Sequence, residues 1–267
     1  MRVTLKRSLM SIALSLFTIG NLSSFTALTA VLAGIGILST LQSASAQTIS
    51  GDGYTATRLT YSFEDISSTG TGILANQDNN TSSIKLPFVF RFFNVNYNTQ
   101  TDLFISTNGL LSFGSAYPNA NNESLTSLST PIPPTIAVLW DDLTFNTATN
   151  PDANRVYYQT LGSGNSERLV IQWDKAGVVG ETGTNKLITF QAILYKNDDK
   201  IRFNYLDTLV SPGSPANAAG LATVGISHGQ VGGQRLQWSY NTPFSSYQTS
   251  ICFNRGVTNP ATPATCP

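Results

Sequence analysis

No stretch beyond residue 46 carries an apolar repeat of helical period. Short runs alternate apolar with polar residues instead, at intervals of roughly ten residues, with Gly, Asn, Asp, Ser or Pro between them. Such a chain has only sheets to fold into. The expected fold is all-β, an antiparallel β-sandwich or barrel-like sandwich forming a single domain. In residues 168–174, Leu169, Ile171 and Trp173 face one way. In residues 200–206, Ile201, Phe203 and Tyr205 alternate with Lys200, Arg202 and Asn204, the pattern of a strand with one wet face. That strand pairs with 186–196 through a turn at Asn197, Asp198 and Asp199. Further strands are expected at 54–63, 84–93, 101–106, 155–160, 221–227 and 235–240, the last two being the last that the pattern marks clearly. Pro87 gives 84–93 an edge position or a strand start, because proline donates no ladder hydrogen bond. Residues 67–83, rich in Gly, Asn, Thr and Ser, read as a loop.

The segment 107–143 organises the rest. Asn108-Gly109 predicts a type I′ hairpin, a turn that needs positive φ at both central residues. Residues 103–106 run in and 110–113 run out. A long polar loop and three prolines (Pro131, Pro133, Pro134) then lead to an apolar run, 136–140, which stops at Asp141 and Asp142.

The N-terminus reads as an export signal. Arg2, Lys6 and Arg7 precede apolar segments at 9–19 and 27–41, and Ala44-Ser45-Ala46 is an A-x-A cleavage site. Residues 1–46 are therefore expected to be a signal peptide, with Gln47 as the mature start. The signal is long and has two apolar segments, so an uncleaved membrane anchor is the rival reading; neither segment reaches the ~20 residues of a membrane span, and no stable span is expected after cleavage. Residues 47–255 are expected to form the all-β domain, and residues 256–267 a Pro/Thr-rich C-terminal tail. The mature part holds 12 basic and 15 acidic residues without a basic cluster, which excludes a nucleic-acid surface. Only 11% of residues are charged, about half the usual share, and Asn, Thr, Ser and Gln supply the polarity. Export permits a disulfide, and Cys252 and Cys266 are each other's only partners. Closing that loop would contribute on the order of 3 kcal/mol in the chain-entropy account.

Five segments in order carry a family resemblance: VLWDDL (138–143), VYYQT (156–160), LVIQW (169–173), TFQAILY (189–195) and IRFNY (201–205). With the STNG hairpin and the WDD turn they resemble the NIDO domain of nidogen-type extracellular proteins and related secreted bacterial modules. The resemblance covers roughly residues 86–240. It implies an all-β extracellular module of matrix and surface-adhesion proteins, with no family active site to carry over.

The residues themselves offer little chemistry. His228 is the only histidine, so a Ser-His-Asp system would have to use it. It reads as a turn residue. One histidine and two distant cysteines do not make a zinc set. Asp141 and Asp142 could serve a hydrolase only from opposite sides of a bond. As strand-end acids they are expected to accept turn amides. Calcium, which takes oxygen ligands from Asp and Asn, is the metal candidate at Asp141 and Asp142. Lesser sets are Asn76 with Asp78 and Asn79, and Asn197 with Asp198 and Asp199. Trp140, Trp173 and Trp238 lie in alternating strands, which favours burial over an exposed sugar platform.

The expected function is a secreted (periplasmic or extracellular), non-enzymatic binding or structural module of the cell envelope or extracellular space, with adhesion as one form. Its partner would be a surface polymer or protein held by the loops 117–130, 175–185 and 210–220. The alternative is a secreted hydrolase using carboxylates near Asp141.

Overall fold

The computed structural model describes residues 47–181, 187–211, 213–244, 247–256 and 265–267. The expected signal segment lies outside them. The strands run in chain order as β1 (Thr48–Gly51), β2 (Tyr54–Leu59), β3 (Thr71–Ile73), β4 (Thr81–Lys85), β5 (Phe90–Phe92) and β6 (Val95–Tyr97). There follow β7 (Asp102–Ser106), β8 (Leu110–Phe113), β9 (Thr135–Trp140), β10 (Leu143–Thr144), β11 (Arg155–Leu161) and β12 (Arg168–Val178). The last are β13 (Leu187–Tyr195), β14 (Ile201–Asp207), β15 (Thr223–Ser227), β16 (Arg235–Tyr240) and β17 (Tyr247–Arg255). The larger sheet has the order β1-β2-β17-β14-β13-β12-β11-β3, with β10 added beside β12. The smaller has the order β16-β15-β9-β8-β7-β4. Neither closes on itself, so the fold is an antiparallel sandwich rather than a barrel. A β5–β6 ribbon sends Phe90 and Phe92 into the core, where they stack on Phe113.

The alternating residues of both sheets meet between them. Ile171, Trp173, Phe190, Phe203 and Phe253 of the large sheet are fully buried with Leu103, Ile105, Leu111 and Ile136 of the small one. Two aromatic tips tie the layers together. The Trp173 indole N–H donates to the Ser106 carbonyl at 2.8 Å, and the Tyr205 hydroxyl donates to the Val138 carbonyl at 2.7 Å. A buried aromatic with a polar tip needs such a partner, and here the opposite sheet supplies it.

Each sheet is also covered on its outside. Over the small sheet, Leu125, Leu128 and Ile132 pack on Leu110, Ala137 and Trp140. Over the large sheet, residues 60–66 cross the strands. Gln172, Gln191, Asn204 and Ser250 stand in register on β12, β13, β14 and β17. They meet the crossing backbone: Ile66 N–H donates to Gln172 Oε1 at 3.0 Å, Glu64 N–H to Gln191 Oε1 at 3.1 Å, and Ser62 N–H to Ser250 Oγ at 3.2 Å.

Several sequence expectations are corrected here. The first strand stops at Leu59, because residues 60–66 leave the ladder to cross the sheet. The expected wet face of β14 is dry: Asn204 is fully buried and Arg202 nearly so, both under the crossing segment. The run 84–93 breaks at Leu86-Pro87 into β4 and β5, and β4 lies at the sheet edge that Pro87 implied. The loop 67–83 contains β3 and the start of β4. After Arg235–Tyr240 comes one more strand that the alternation did not mark. This strand, β17, occupies the middle of the large sheet, its short apolar alternation limited to Ile251 and Phe253 on the inner face. Cys252 is buried in β17 and bonded to Cys266, with 5.7 Å between Cα atoms.

The 107–109 hairpin also differs in type. Gly109 has φ +72° while Asn108 is not among the positive-φ residues, so the turn is not type I′. Ile105 pairs with Leu111, which leaves a tight loop ending on a left-handed glycine. The Gly109 carbonyl accepts from both Val138 N–H (3.0 Å) and Leu139 N–H (3.3 Å), a β-bulge on β9. A Cβ at Gly109 would lie 2.0 Å from the Leu139 carbonyl oxygen. Gly109→Ala should therefore cost more than about 2 kcal/mol, combining positive-φ strain with a backbone clash. Denaturant melts measure it, and a loss below half that size would show that the bulge relaxes.

Candidate functional site

The Asn108 side chain gathers most of the sequence-flagged polar residues at one end of the sandwich. It is fully buried. Its Oδ1 accepts the Leu143 N–H at 2.9 Å. Its Nδ2 donates to Asn79 Oδ1 at 2.8 Å and to the Pro118 carbonyl at 2.9 Å. One amide thus joins the hairpin, the turn after β9, the 76–80 segment and the loop over the small sheet. The sequence reading gave Asn108 a backbone role alone, since none of these partners is near it in the chain.

Asp141 and Asp142 sit between β9 and β10, in a bend rather than on a strand. Asp141 Oδ1 accepts the Asp142 N–H at 2.9 Å, and the Asp142 carbonyl accepts the Val179 N–H at 2.9 Å. Burial pushes the Asp141 carboxyl up to about 6, against the opposing pull of that amide. Asp142 is raised too, by burial and by Asp78. Asp78 bridges to Thr144, and Asn76 Oδ1 accepts the Thr147 N–H at 3.2 Å. Two of the three calcium candidate sets therefore meet here. Among the described residues no three His, Cys, Asp or Glu side chains gather to hold a metal ion. Asp142 Oδ1 is buried without a protein partner.

The third set forms the β13–β14 turn. Asp198 pairs with Lys200, and Asp199 accepts the Arg91 N–H and meets Arg255. His228 stands edge-on to Phe93, its N–H bonded to the Gln234 carbonyl in the β15–β16 turn. Trp140 and Trp173 are fully buried and Trp238 nearly so. The loops expected to present a binding surface are in part taken up by the fold. Leu125 and Leu128 of 117–130 are buried, Lys175 to Val178 belong to β12, and Ala216 and Ala219 of 210–220 are buried. Residues 182–186 lie outside the described residues.

Two outcomes are expected. Asn108→Asp keeps the acceptor for Leu143 but turns the donor side into an oxygen facing Asn79 Oδ1 and the Pro118 carbonyl. It should destabilise the fold by about 2–4 kcal/mol at neutral pH, more than Leu125→Val, in chemical melts. For Asp141, the folded carboxyl near 6 lies above its ordinary 3.8. Between those values the folded state holds a proton that the unfolded chain has released, so stability rises as pH falls through about 6 and levels off below about 4. Asp141→Asn should raise the melting point at pH 7.5, by a contribution on the order of 2 kcal/mol, and give no gain at pH 4. A variant that loses stability only when calcium is present, and not with chelator, would mark Asp141 as an ion ligand instead.

A family model described as NIDO related matches residues 53–265. No curated protein and no solved structure matches the chain. The match spans both sheets from Gly53 through Cys266's neighbour, well over half of the chain, and the chain belongs to the NIDO-related family.

Proposed function

We propose that this chain is an exported, non-enzymatic binding or structural module of the cell envelope or extracellular space. The observation that carries the reading is the use made of its acids and amides: Asn108, Asp141 and Asn79 hold turns together instead of lining a cleft. Membership of the NIDO-related family supports the same compartment and class. The bonded cysteine pair suits an oxidising location. Among the described residues no helix is long and apolar enough to cross a membrane. The module would act by presenting a rigid sandwich to a surface polymer or protein, with the signal segment removed before Gln47.

The test has two parts. N-terminal sequencing of protein from the periplasm or medium should start at Gln47, and an intact Met1 in washed membranes would overturn the export reading. Purified protein should co-sediment with envelope polymers while showing no hydrolysis of chromogenic glycosides or esters. A hydrolytic activity lost in Asp141→Asn or Asp142→Asn would overturn the non-enzymatic one.

A further inference from the structure

The segment 60–66 divides the outer face of the large sheet into two unlike halves. Ser62 and Glu64 border a cavity of about 310 Å³. Its principal charges already have partners. Glu64 pairs with Arg168, Asp198 pairs with Lys200, and Arg202 donates to Asn204, to the Thr60 carbonyl and to Pro267 O.

The other half is an open groove of about 660 Å³ lined by Asp152, Lys175, Thr189, Leu206, Asp207 and Tyr247. Part of its polarity serves the fold, since Asp207 Oδ1 accepts the Leu209 N–H at 2.8 Å and Thr189 Oγ1 the Lys175 N–H at 3.1 Å. Asp152 and the Lys175 ammonium form no ion pair among the described residues. Tyr247 is 56% exposed. Tyr61 lies close enough to Tyr247 to feel its charge, and its ring stacks on Phe63 at 6.4 Å. The Tyr61 hydroxyl is buried yet has no protein partner.

The backbone is distorted at this end of the sheet as well. The β12–β13 register slips between Trp173 and Ala176, where Lys175 takes φ +56°. The β13–β14 register slips between Thr189 and Phe190, which inserts Leu206. Gln248, beside Tyr247, has φ +43°. Bulges re-aim side chains, and these two place Lys175 and Leu206 in the groove lining.

We propose that this groove binds a neutral polysaccharide chain. The inference rests on the binding-module reading and names its ligand. A sugar ring offers an apolar C–H face to an aromatic ring and a rim of hydroxyls that both donate and accept. Tyr247 supplies the first contact, and the ammonium, carboxylates and Thr189 supply both kinds of partner for the second. One cation against two carboxylates gives no single-sign field for a charged polymer. An open groove admits a chain rather than a capped small molecule.

Native affinity electrophoresis of the purified protein tests this, in gels containing dextran, soluble β-1,3-glucan or galactomannan, with polygalacturonate as the charged comparison. Retardation is expected in at least one neutral gel. Tyr247→Ala should weaken it about tenfold, as loss of a stacking ring does. Asn165→Ala and Asn197→Ala, in the other cavity, should have no effect. Retardation confined to polygalacturonate, or untouched by Tyr247→Ala, would overturn the proposal. So would co-sedimentation with envelope protein but retardation in no polysaccharide gel; the binding-module reading would then stand without the groove. Absence of both retardation and envelope binding would bring down the two together.

Discussion

The buried amide of Asn108 is the interaction on which the arrangement of this sandwich depends. Its one oxygen and one nitrogen satisfy backbone or side-chain groups from three other segments, none adjacent in sequence. Gly109 follows, and its carbonyl draws two successive amides of β9 into a bulge. That bulge shifts the alternation of β9, so that Ala137 and Trp140 share the outer face although their spacing is odd. Trp140 then donates to the Asn119 carbonyl at 2.8 Å and fixes the loop that covers the small sheet. One turn therefore sets both faces of the smaller layer. Two residues before Asn108, the Ser106 carbonyl receives the indole N–H of Trp173 and joins the hairpin to the larger layer.

The unusual composition has a structural use. A sandwich normally leaves the outer face of each sheet to charged residues and water. Here both outer faces carry crossing segments, whose backbone groups need partners away from solvent. Charged side chains would suffer desolvation there, whereas Gln, Asn and Ser can donate and accept without carrying a charge. The row Gln172, Gln191, Asn204 and Ser250 meets that need, with Ser250 Oγ donating to Asn204 Oδ1 at 2.7 Å and Asn204 Nδ2 to Gln191 Oε1 at 2.8 Å. The 11% charge content is thus partly the signature of a fold that buries polar amides instead of exposing acids and bases.

The same economy separates scaffold from surface. Asp141, Asn79 and Asn108 are drawn into turns, and the tryptophans into cores, so the residues most suggestive of chemistry in the sequence are those most used by the fold. What is left over borders the crossing segment: an exposed tyrosine, a lysine and an aspartate that form no ion pair among the described residues, and a tyrosine hydroxyl with no hydrogen-bond partner among them. Tyr61 and Tyr247 are far apart in the chain, and neither stands in a motif. Their neighbourhood exists only because residues 60–66 leave β2 and cross β17 on the way to β12.

The sequence by itself determined the class of fold. Period-two alternation at Leu169, Ile171 and Trp173, or at Ile201, Phe203 and Tyr205, has one physical meaning, a strand with a buried side, and it was legible without the structure. The placement of turns at Asn108-Gly109 and at 197–199 was legible for the same local reason, that few residues accept those conformations. The five ordered segments also placed the chain beside its family. Tertiary structure alone decided which polar faces are dry, because burial of Arg202 and Asn204 depends on a segment some 140 residues away. It alone decided that β17 sits inside the large sheet, that the Asn108 turn has a single left-handed residue, and that Asp78 meets Asp142. These depend on contacts distant in sequence, and local alternation carries no information about which segment will cover a face.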